Sequence, residues 1–399
     1  SSPFKWTNRF QAVLSSPERN RRVSLPQLAA DFIFAARLYG RVIVSERFLP
    51  DSMKTIKPVN SGGIAGGVKF FRDGILFKFP HTHQSSGGRL YRSDEHAAKV
   101  AGHELKSCSA VFGAGISELK VPLMVLLDYR GWRLQAMSMV PINQAQSTLV
   151  YGSSDGGATV CNDDPRLNKL IKQLAHHLNL KPHACGNPLA PVTLHVCTDL
   201  EGHRVPAWHE SSDGMPSATN AVGWDYCAYL LDTARLFPPE RPTPTVYNSQ
   251  LFRLLRPELV RQSNVPLCSD TYVGVVFVWL AVLLSPRVHI EEVNGITDHL
   301  HQSVLPDFAR LLDVLACRDP EFREVTSFAR AFGINVRHFG KVRSFVSTDE
   351  ARRVLLTEIL ARSLKNELRR LLRRTARSSS GDQHVVFVQA ILDFLGLSF

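Results

Sequence analysis

Two apolar runs joined by a glycine-containing turn constrain the fold of this 399-residue chain more than any other feature. The runs Val121–Asp128 and Trp132–Val140 alternate in part between apolar and polar side chains, a pattern typical of strands that cover a core with one face. The turn between them ends at Gly131, since glycine adopts a positive φ without a side-chain clash. The segment therefore predicts an antiparallel hairpin.

Five short segments resemble the Clu (clustered mitochondria) family. Two lie in the hairpin. One is DYRG at 128–131, and the other is an apolar residue followed by Gln-Ala-Met-Ser, at 134–138, which leads to Pro141. The others are LVYGSSDGG at Leu149–Gly157, YLLDTARLFPPE at Tyr229–Glu240 and FGINVRHFGKV at Phe332–Val342. They occur in the order in which Clu domains carry them. The resemblance implies a non-catalytic cytoplasmic factor involved in mitochondrial distribution or biogenesis, which associates with messenger RNA for mitochondrial proteins and with the translation machinery.

Positive charge is concentrated in two flanks of the chain. The net charge is +11; residues 1–57 carry 10 Lys and Arg against 4 Asp and Glu, and residues 341–377 carry 11 against 4. Residues 58–340 are balanced. Such flanks are expected to attract RNA, an anionic membrane or an acidic protein surface, and charge alone leaves all three open.

The cysteines and the apolar runs predict a cytoplasmic protein without a transmembrane segment. The seven cysteines are scattered and form no Cys-x-x-Cys pair, which favours neither a disulfide framework nor a zinc ribbon and fits a reducing cytosol. The most apolar run, Val273–Leu284, has 12 residues, whereas a membrane-spanning helix needs about 20. We therefore expect a buried helix there.

The 15 histidines predict no metal site. Their densest groups in the sequence are His81/His83, His176/His177/His183 and His299/His301. These groups lack a complete ligand set at a known spacing such as His-Glu-x-x-His. We interpret them as polar residues of loops and helix ends.

The periodicities predict an α+β fold, with a strand-rich N-terminal part followed by a mostly helical C-terminal part. Residues 1–57 are basic N-terminal helices, residues 58–244 an α+β Clu core, and residues 245–399 a helical part with a basic helix at 349–377. Ser24-Leu25-Pro26 is expected to start a helix over Gln27–Tyr39. The core is expected to contain strands at Val68–Phe71, Ile75–Phe79, Val192–Cys197 and Tyr226–Leu231, helices at Asp94–Val111 and Pro165–Leu180, and a loop at Ala207–Trp224. Expected C-terminal helices are Ser249–Arg261, Asp270–Leu284, Val304–Ala316, Pro320–Phe332, Asp349–Arg374 and Val385–Leu395, with a link at Arg377–Asp382.

The order of elements in residues 58–240 is similar to that of protein kinases. In kinases a glycine-rich loop covers the nucleotide phosphates, a strand lysine pairs with a helix glutamate, and a later aspartate holds magnesium. The corresponding candidates for binding MgATP are Gly62, Gly63, Gly66, Gly67, Lys78, Glu104 and Asp232. Because side chains alternate along a strand, Lys78 is expected to point away from the face that carries Phe77 and Phe79.

The segment that resembles a kinase catalytic loop argues against phosphoryl transfer. His176–Pro182 is similar to the kinase phrase His-Arg-Asp-Leu-Lys-Pro, but Asn179 stands where the aspartate would accept the substrate proton, and an amide is no base. Asp199 and Asp225 are alternative candidates for the proton acceptor, but nothing in the sequence shows that either lies near the site. The alternative to a nucleotide site is that the glycines form an ordinary turn and that Lys78, Glu104 and Asp232 have structural roles.

The basic helix at 349–377 is the most concrete binding element. Arginine presents planar donors suited to phosphates, and the lack of aromatic residues in this helix predicts RNA binding through the phosphate backbone. The residues expected to contact RNA are Arg337, Lys341, Arg343, Arg362, Lys365, Arg369, Arg370, Arg373 and Arg374. The stripe expected to face the core comprises Val354, Leu355, Ile359, Leu364, Leu368 and Leu371. Replacing Arg369, Arg370, Arg373 and Arg374 by glutamate is expected to abolish RNA association and leave the fold intact.

Two other functions stay open on the sequence. One is a nucleotide-binding kinase-like protein, either a pseudokinase or an atypical phosphotransferase, which MgATP would stabilise. The other is a protein adaptor on an acidic surface, such as the cytoskeleton, the mitochondrial surface or an anionic membrane.

Overall fold

The computed structural model describes most of the chain. The described residues are 2–59, 68–80, 84–85, 88–89, 91, 93–142, 148–187, 189–206, 209–210, 216–217, 226–273, 287–319, 322, 324–378 and 383–396. Their helices are α1 (Lys5–Ser15), α2 (Glu18–Ser45), α3 (Asp94–Gly113), α4 (Pro165–His177), α5 (Pro257–Val260), α6 (Arg287–His299), α7 (Leu305–Arg318), α8 (Val325–Ala331), α9 (Phe339–Phe345), α10 (Asp349–Ser378) and α11 (Gln383–Phe394). Single helical turns lie at Asp51–Met53, Thr233–Arg235, Ser249–Leu251, Leu300–Val304 and Val336–His338.

The strands are short. They are β1 (Pro58–Val59), β2 (Lys69–Arg72), β3 (Ile75–Lys78), β4 (Gln84–Ser85), β5 (Gly88–Arg89), β6 (Leu119–Lys120), β7 (Met124–Tyr129), β8 (Trp132–Ser138), β9 (Leu149–Gly152), β10 (Cys161–Asn162), β11 (His183–Cys185), β12 (Val192–Leu194), β13 (Glu201–Pro206), β14 (His209–Glu210), β15 (Pro216–Ser217) and β16 (Tyr226–Leu231).

The predicted hairpin, β7 and β8, lies in a five-stranded sheet with the order β1-β2-β3-β8-β7. Its strand pairs are antiparallel, and the register places Asp128 opposite Arg133. Because side chains alternate along each strand, one face carries Phe77 and Leu134, which are fully buried. The apolar faces of α1 and α2 cover this side of the sheet, with Trp6 of α1 in the same cluster.

A second five-stranded sheet has the order β10-β9-β13-β16-β6, in which β16 pairs in parallel with β6. Its buried Tyr151 belongs to a core that continues through Leu167 of α4 to Phe308 of α7 and Phe339 of α9. Helix α3 contacts β6, β7 and the helical turn Thr233–Arg235. It therefore connects the two sheets and brings its own side chains between them.

The strand-rich first part and the mostly helical last part confirm the predicted fold class. Strand β16 has the predicted bounds, and α3 and α10 begin at the predicted residues. In the part of the chain that is described, no helix combines the length and the apolar composition needed to cross a membrane.

The predicted start of the second N-terminal helix at Ser24-Leu25-Pro26 was wrong, because α2 runs from Glu18 through Pro26 without a break. Proline in a helix interior removes one hydrogen bond and costs about 3 kcal/mol. The residues that follow, Leu28 and Phe32, are buried on the first sheet. Their burial offsets that cost and keeps the helix continuous.

The predicted helix at Ser249–Arg261 was also wrong. The segment contains one helical turn at Ser249–Leu251 and the four-residue α5. Phe252, directly after the first turn, has a non-helical φ of −139°, and Pro257 cannot donate to a preceding carbonyl, so a continuous helix is interrupted at both places. Conversely, α6 was not predicted, and it joins α7 through the π-helical turn at Leu300–Val304.

In α10 the predicted core stripe is correct for Leu355, which is fully buried, but wrong for Leu364, which is 56% exposed. Several predictions fall wholly or largely outside the described residues. These are Gly62, Gly63, Gly66 and Gly67, the apolar run at Val273–Leu284, the loop at Ala207–Trp224, the link at Arg377–Asp382, and Asp225.

Candidate functional site

The turn of the β7–β8 hairpin is the surface on which α10 docks. Gly131 has a φ of 80°, and a Cβ atom there would lie 2.5 Å from the carbonyl oxygen of Arg369. Only glycine satisfies both the backbone conformation and this close approach. Arg130 of the same turn lies over the ring of Phe387 in α11, at 4.6 Å. The DYRG segment thus holds both C-terminal helices.

A groove of about 340 Å³ runs between the first turn of α3, the hairpin and α10. Its charged and polar lining includes Ser93, Asp94, Glu95, His96, Lys99, Asp128, Arg133, Arg369, Arg370 and Arg373. A recess of about 410 Å³ continues it and adds Glu367 and Arg374. Over both, six lysines and arginines face four acidic residues. This excess of positive charge lies beside the N-terminus of a 20-residue helix, which itself favours anions.

The start of α3 is well defined. The Ser93 hydroxyl accepts a hydrogen bond from the backbone N–H of His96 at 3.3 Å, as expected of a helix N-cap. Burial, followed by the charge of Lys99, lowers the pKa of His96. Its imidazole is therefore neutral at pH 7 and adds no charge to the groove.

Two of the predicted RNA-binding arginines in the groove form close ion pairs with acids outside α10. Arg369 pairs with Asp128, and Arg373 pairs with Glu95 in the first turn of α3. Burial acts to raise the pKa of Asp128, but hydrogen bonds and charges of Arg133 and Arg369 leave it below its ordinary value. These two arginines therefore contribute to the docking of α10.

Arg370 and Arg374 lie one turn apart on the outer side of α10. Their side chains are 58% and 71% exposed, and each lies within 3.3–3.5 Å of Glu367. Exposed pairs of this kind contribute little to stability. Both side chains are therefore accessible to a phosphate.

The other predicted RNA-binding residues do not line the groove or its recess. Arg337 donates to the buried carboxylate of Glu240, and Arg362 lies 3.5 Å from Glu358. Lys341, Arg343 and Lys365 are exposed. The structure thus brings together four of the nine predicted residues: Arg369, Arg370, Arg373 and Arg374.

The groove also contains an aromatic residue, Trp132 of β8, whereas α10 itself has none. Arg373 lies 5.9 Å from its ring and Arg47 lies 4.1 Å from it. Because Trp132 is only 5% exposed, its ring is covered and cannot stack on a base. The groove is suited to phosphates more than to bases.

The lysine and the two acids predicted from the kinase-like order lie near one another. Phe77 and Phe79 are buried while Lys78 is half-buried on the opposite face, which confirms its predicted direction. Burial, followed by the charge of Asp232, raises the pKa of Glu104 to about 7, while Lys78 acts to lower it. Asp232 is exposed at the surface and lies close enough to Glu104 and Lys78 to interact with their charges. The three side chains form one electrostatic cluster.

Local backbone contacts position Glu104 and Asp232. The Glu104 carboxylate accepts hydrogen bonds from the backbone N–H of Thr233 at 2.9 Å and from its hydroxyl at 3.2 Å. Asp232 has a φ of 48°, a left-handed conformation that Asp tolerates better than most residues. The turn Thr233–Arg235 thus docks on α3 through a buried carboxylate.

Asn179, at the position of a kinase base, has a structural role. Its side-chain amide donates to the carbonyl oxygens of Val260 and Ser263 at 2.9 and 2.8 Å. Asp199, the alternative acid that is described, pairs with the buried Arg235 at 2.6 Å. Asn179 does not join the cluster of Lys78, Glu104 and Asp232, whereas the charge of Asp199 acts on Asp232.

A buried network surrounds Asp270, which the sequence pattern placed at the start of a helix and did not mark as a site residue. Its carboxylate accepts hydrogen bonds from the Thr198 backbone at 2.7 Å and is 2.9 Å from Nε2 of His183. Burial acts to raise the pKa of Asp270, but His183 and Arg235 hold it far below its ordinary value. No local spacing signals this network, because its members are up to 87 residues apart.

Comparisons with known proteins agree with the resemblance found in the sequence. A family model described as "Clustered mitochondria" matches residues 5–241. "Protein clueless" of Drosophila virilis is 26% identical over 249 residues, and that of Drosophila ananassae is 33% identical over 249 residues, each alignment covering 59% of this chain and 15% of the relative. The "Clustered mitochondria protein homolog" of Anopheles gambiae is 26% identical over 232 residues, which cover 56% of this chain and 14% of that protein. The chain thus spans about 15% of the length of these curated relatives. No solved structure matches.

Proposed function

The chain belongs to the clustered mitochondria family, and we propose that it is a non-catalytic, RNA-binding part of a cytoplasmic factor for mitochondrial distribution or biogenesis. Messenger RNA and the translation machinery are the proposed partners. The observation that carries the proposal is the arginine groove between α3 and α10. It combines a net excess of cations with a helix N-terminus and two exposed arginines on one helix face.

The chemistry of the groove favours the phosphate backbone over the bases. Guanidinium groups bind phosphate through two parallel hydrogen bonds, and Arg370 and Arg374 are placed to do so from successive turns of α10. The covered ring of Trp132 offers no stacking surface. We therefore expect salt-dependent binding with little base preference.

The test is a titration of single-stranded RNA across salt concentrations, with heparin as a polyanion control. Arg370→Glu/Arg374→Glu reverses two exposed charges and leaves the side chains of Arg369 and Arg373 in place, although it removes the 3.8 Å contact of Arg370 with Glu95. The matched control is Arg310→Glu/Arg318→Glu, the same charge change on the exposed side of α7. We expect the first double variant to lose at least tenfold in affinity and the control to lose much less. Equal losses, or a preference for heparin, would reduce the binding to a general polyanion effect.

A second candidate function is nucleotide binding, which the cluster of Lys78, Glu104 and Asp232 favours. A lysine suits phosphate and carboxylates suit Mg²⁺, and these are the residue types that lie together. MgATP is then expected to raise the melting temperature of the chain, and Lys78→Ala and Asp232→Ala are expected to remove this effect. A parent chain that MgATP leaves unchanged would contradict this function.

A further inference from the structure

Two segments about 100 residues apart meet at one buried carboxylate. Glu240, the last residue of LFPPE, lies 2.6 Å from Nε2 of His338 and accepts a hydrogen bond from Nε of Arg337 at 3.0 Å. His301 completes the cluster. One carboxylate oxygen of Glu240 and one ring nitrogen each of His301 and His338 all lie within 4.8 Å of one another. The two imidazole rings are edge to face, with centroids 5.2 Å apart.

Each of the three residues is positioned by a distinct backbone feature. The backbone N–H of Glu240 donates to the carbonyl oxygen of Arg253 at 2.8 Å. His301 lies in the π-helical turn Leu300–Val304 between α6 and α7, and such turns occur frequently at functional sites. His338 ends the helical turn Val336–His338, directly before α9. The cluster thus joins the end of the sheet region to two elements of the helical part.

The surroundings of the three side chains suit metal binding. The carboxylate of Glu240 is buried and is supported by a hydrogen bond from Arg337. In the part of the chain that the structure describes, the buried Nδ1 of His301 has no hydrogen-bond partner.

We propose that Glu240, His301 and His338 form a binding site for one divalent transition-metal ion, with zinc as the best-fitting ion. Two imidazoles and one carboxylate are an established zinc ligand set that leaves a fourth position for water. They also suit other first-row metals. The site lies outside the arginine groove and does not depend on RNA or nucleotide binding.

The geometry needs movements of up to about 1.5 Å, because ligand atoms that now lie within 4.8 Å of one another must come to tetrahedral spacing. With metal–ligand bonds of 2.0–2.1 Å, neighbouring ligand atoms of a tetrahedral site are about 3.3 Å apart. The oxygen of Glu240 and Nε2 of His338 would therefore separate by less than about 1 Å from their present 2.6 Å. Arg337 would keep its hydrogen bond to the second carboxylate oxygen, which is the usual support for a ligating carboxylate.

Nearby positive charges set an expectation for affinity. Arg337 contacts Glu240 directly, and Lys341 lies near enough to His301 to lower its pKa. Both repel a cation. We therefore expect weaker zinc binding than at a site of four thiolates, and a clear requirement for all three ligands.

The experiment is calorimetric titration of chelator-treated protein with Zn²⁺. We expect one ion per chain, and a loss of at least about tenfold in affinity in His301→Ala and in His338→Ala. His176→Ala, at an exposed position of α4, is the matched control and is expected to bind as the parent does. Because His301 is only partly buried, its replacement is expected to fold, which circular dichroism verifies.

A second measurement separates this site from the cysteines. Co²⁺ bound by two imidazoles and a carboxylate gives ligand-field absorption without the thiolate charge-transfer band. His301→Asp, which restores a ligand oxygen, is expected to recover part of the affinity lost in His301→Ala. A parent chain that binds no Zn²⁺, unchanged affinity in His301→Ala, or a thiolate charge-transfer band would each overturn the proposal.

Discussion

Arg369 in α10 forms an ion pair with Asp128 near the end of β7, 241 residues earlier in the chain. Asp128 also accepts two hydrogen bonds from Arg133, at 2.9 and 2.8 Å. One carboxylate thus binds the helix and its own hairpin together. The positive charges of α10 therefore have two roles: Arg369 and Arg373 attach the helix to the hairpin and to α3, and the arginines directed outward face solvent.

The close approach of the hairpin to α10 predicts a large cost for Gly131→Ala. A left-handed φ costs an L-residue about 1–2 kcal/mol, and overpacking against the Arg369 carbonyl adds about 1–3 kcal/mol. Gly115→Ala is the matched control, because Gly115 has a φ of 71° with no atom within 4 Å of the added Cβ. Urea unfolding measures both changes. Equal destabilisation of the two variants would contradict the docking role of Gly131.

Acid is expected to release α10 from the groove. Burial acts to raise the pKa of Glu95, but its backbone hydrogen bond and Arg373 leave it below its ordinary value, and the pKa of Asp128 is lowered too. A lowered acid pKa contributes stability above about pH 4.5, which is lost as the pH falls through the folded-state value. Because both pairs are partly exposed, each contributes only about 0.5–1 kcal/mol.

Hydrogen exchange along α10 between pH 7 and pH 3 tests this. When the pH is lowered past about 4, we expect the amides of α10 to lose protection. The amides of α4 should keep their protection to lower pH, because, among the described residues, α4 has no ion pair with those of the groove. In Asp128→Asn/Glu95→Gln the protection of α10 is expected to be lower already at pH 7 and to vary less with pH. Retained pH dependence in this variant would assign the effect to other carboxylates.

Local sequence patterns predicted the helices and strands, whereas the composition of the candidate sites depends on contacts between residues that are far apart in the sequence. The alternation in β7 and β8 and the charge of α10 are visible within a few residues, so their positions followed from the sequence. Whether an arginine of α10 is available to a ligand depends on Asp128 and Glu95, which are far from it in the chain. The replacement of all four arginines, expected from the sequence to leave the fold intact, would break both inward ion pairs. The cluster of Glu240, His301 and His338 was not predicted either, because its members are also far apart in the sequence.

Glu104→Gln is expected to flatten the pH dependence of stability. The folded protein holds the Glu104 proton until about pH 7, whereas the unfolded chain releases it near its ordinary value of 4.5. Stability therefore falls as the pH rises between these values, by on the order of 3 kcal/mol. The amide keeps an oxygen acceptor for Thr233, so the contact with α3 survives. Denaturant unfolding at pH 5 and pH 7.5 measures the difference, and an unchanged slope in the variant would rule out Glu104 as its source.

Asp270→Asn is expected to be strongly destabilising, by about 3–5 kcal/mol, because it leaves the buried His183 without its carboxylate partner. The carboxylate of Asp270 is 2.9 Å from Nε2 of His183 and 3.9 Å from Arg235. Asp307→Asn, at a 53% exposed position of α7, makes the same chemical change and is expected to cost less than about 0.5 kcal/mol. Thermal or urea unfolding compares them. Similar small losses would show that the network is replaceable by neutral hydrogen bonds.

The inward and outward arginines of α10 are expected to separate stability from RNA binding. Arg369→Gln removes the ion pair with Asp128, so it should lower the free energy of unfolding by about 1 kcal/mol and weaken RNA binding only moderately. Arg374→Gln changes a side chain that is 71% exposed, so stability should stay within about 0.5 kcal/mol. Removal of one arginine–phosphate interaction is expected to reduce the salt slope of RNA affinity by about 1. A reduced slope in Arg374→Gln with unchanged stability supports a phosphate-binding position on the outer face of α10, whereas a reduced slope in Arg369→Gln alone would move that position to the hairpin side of the groove.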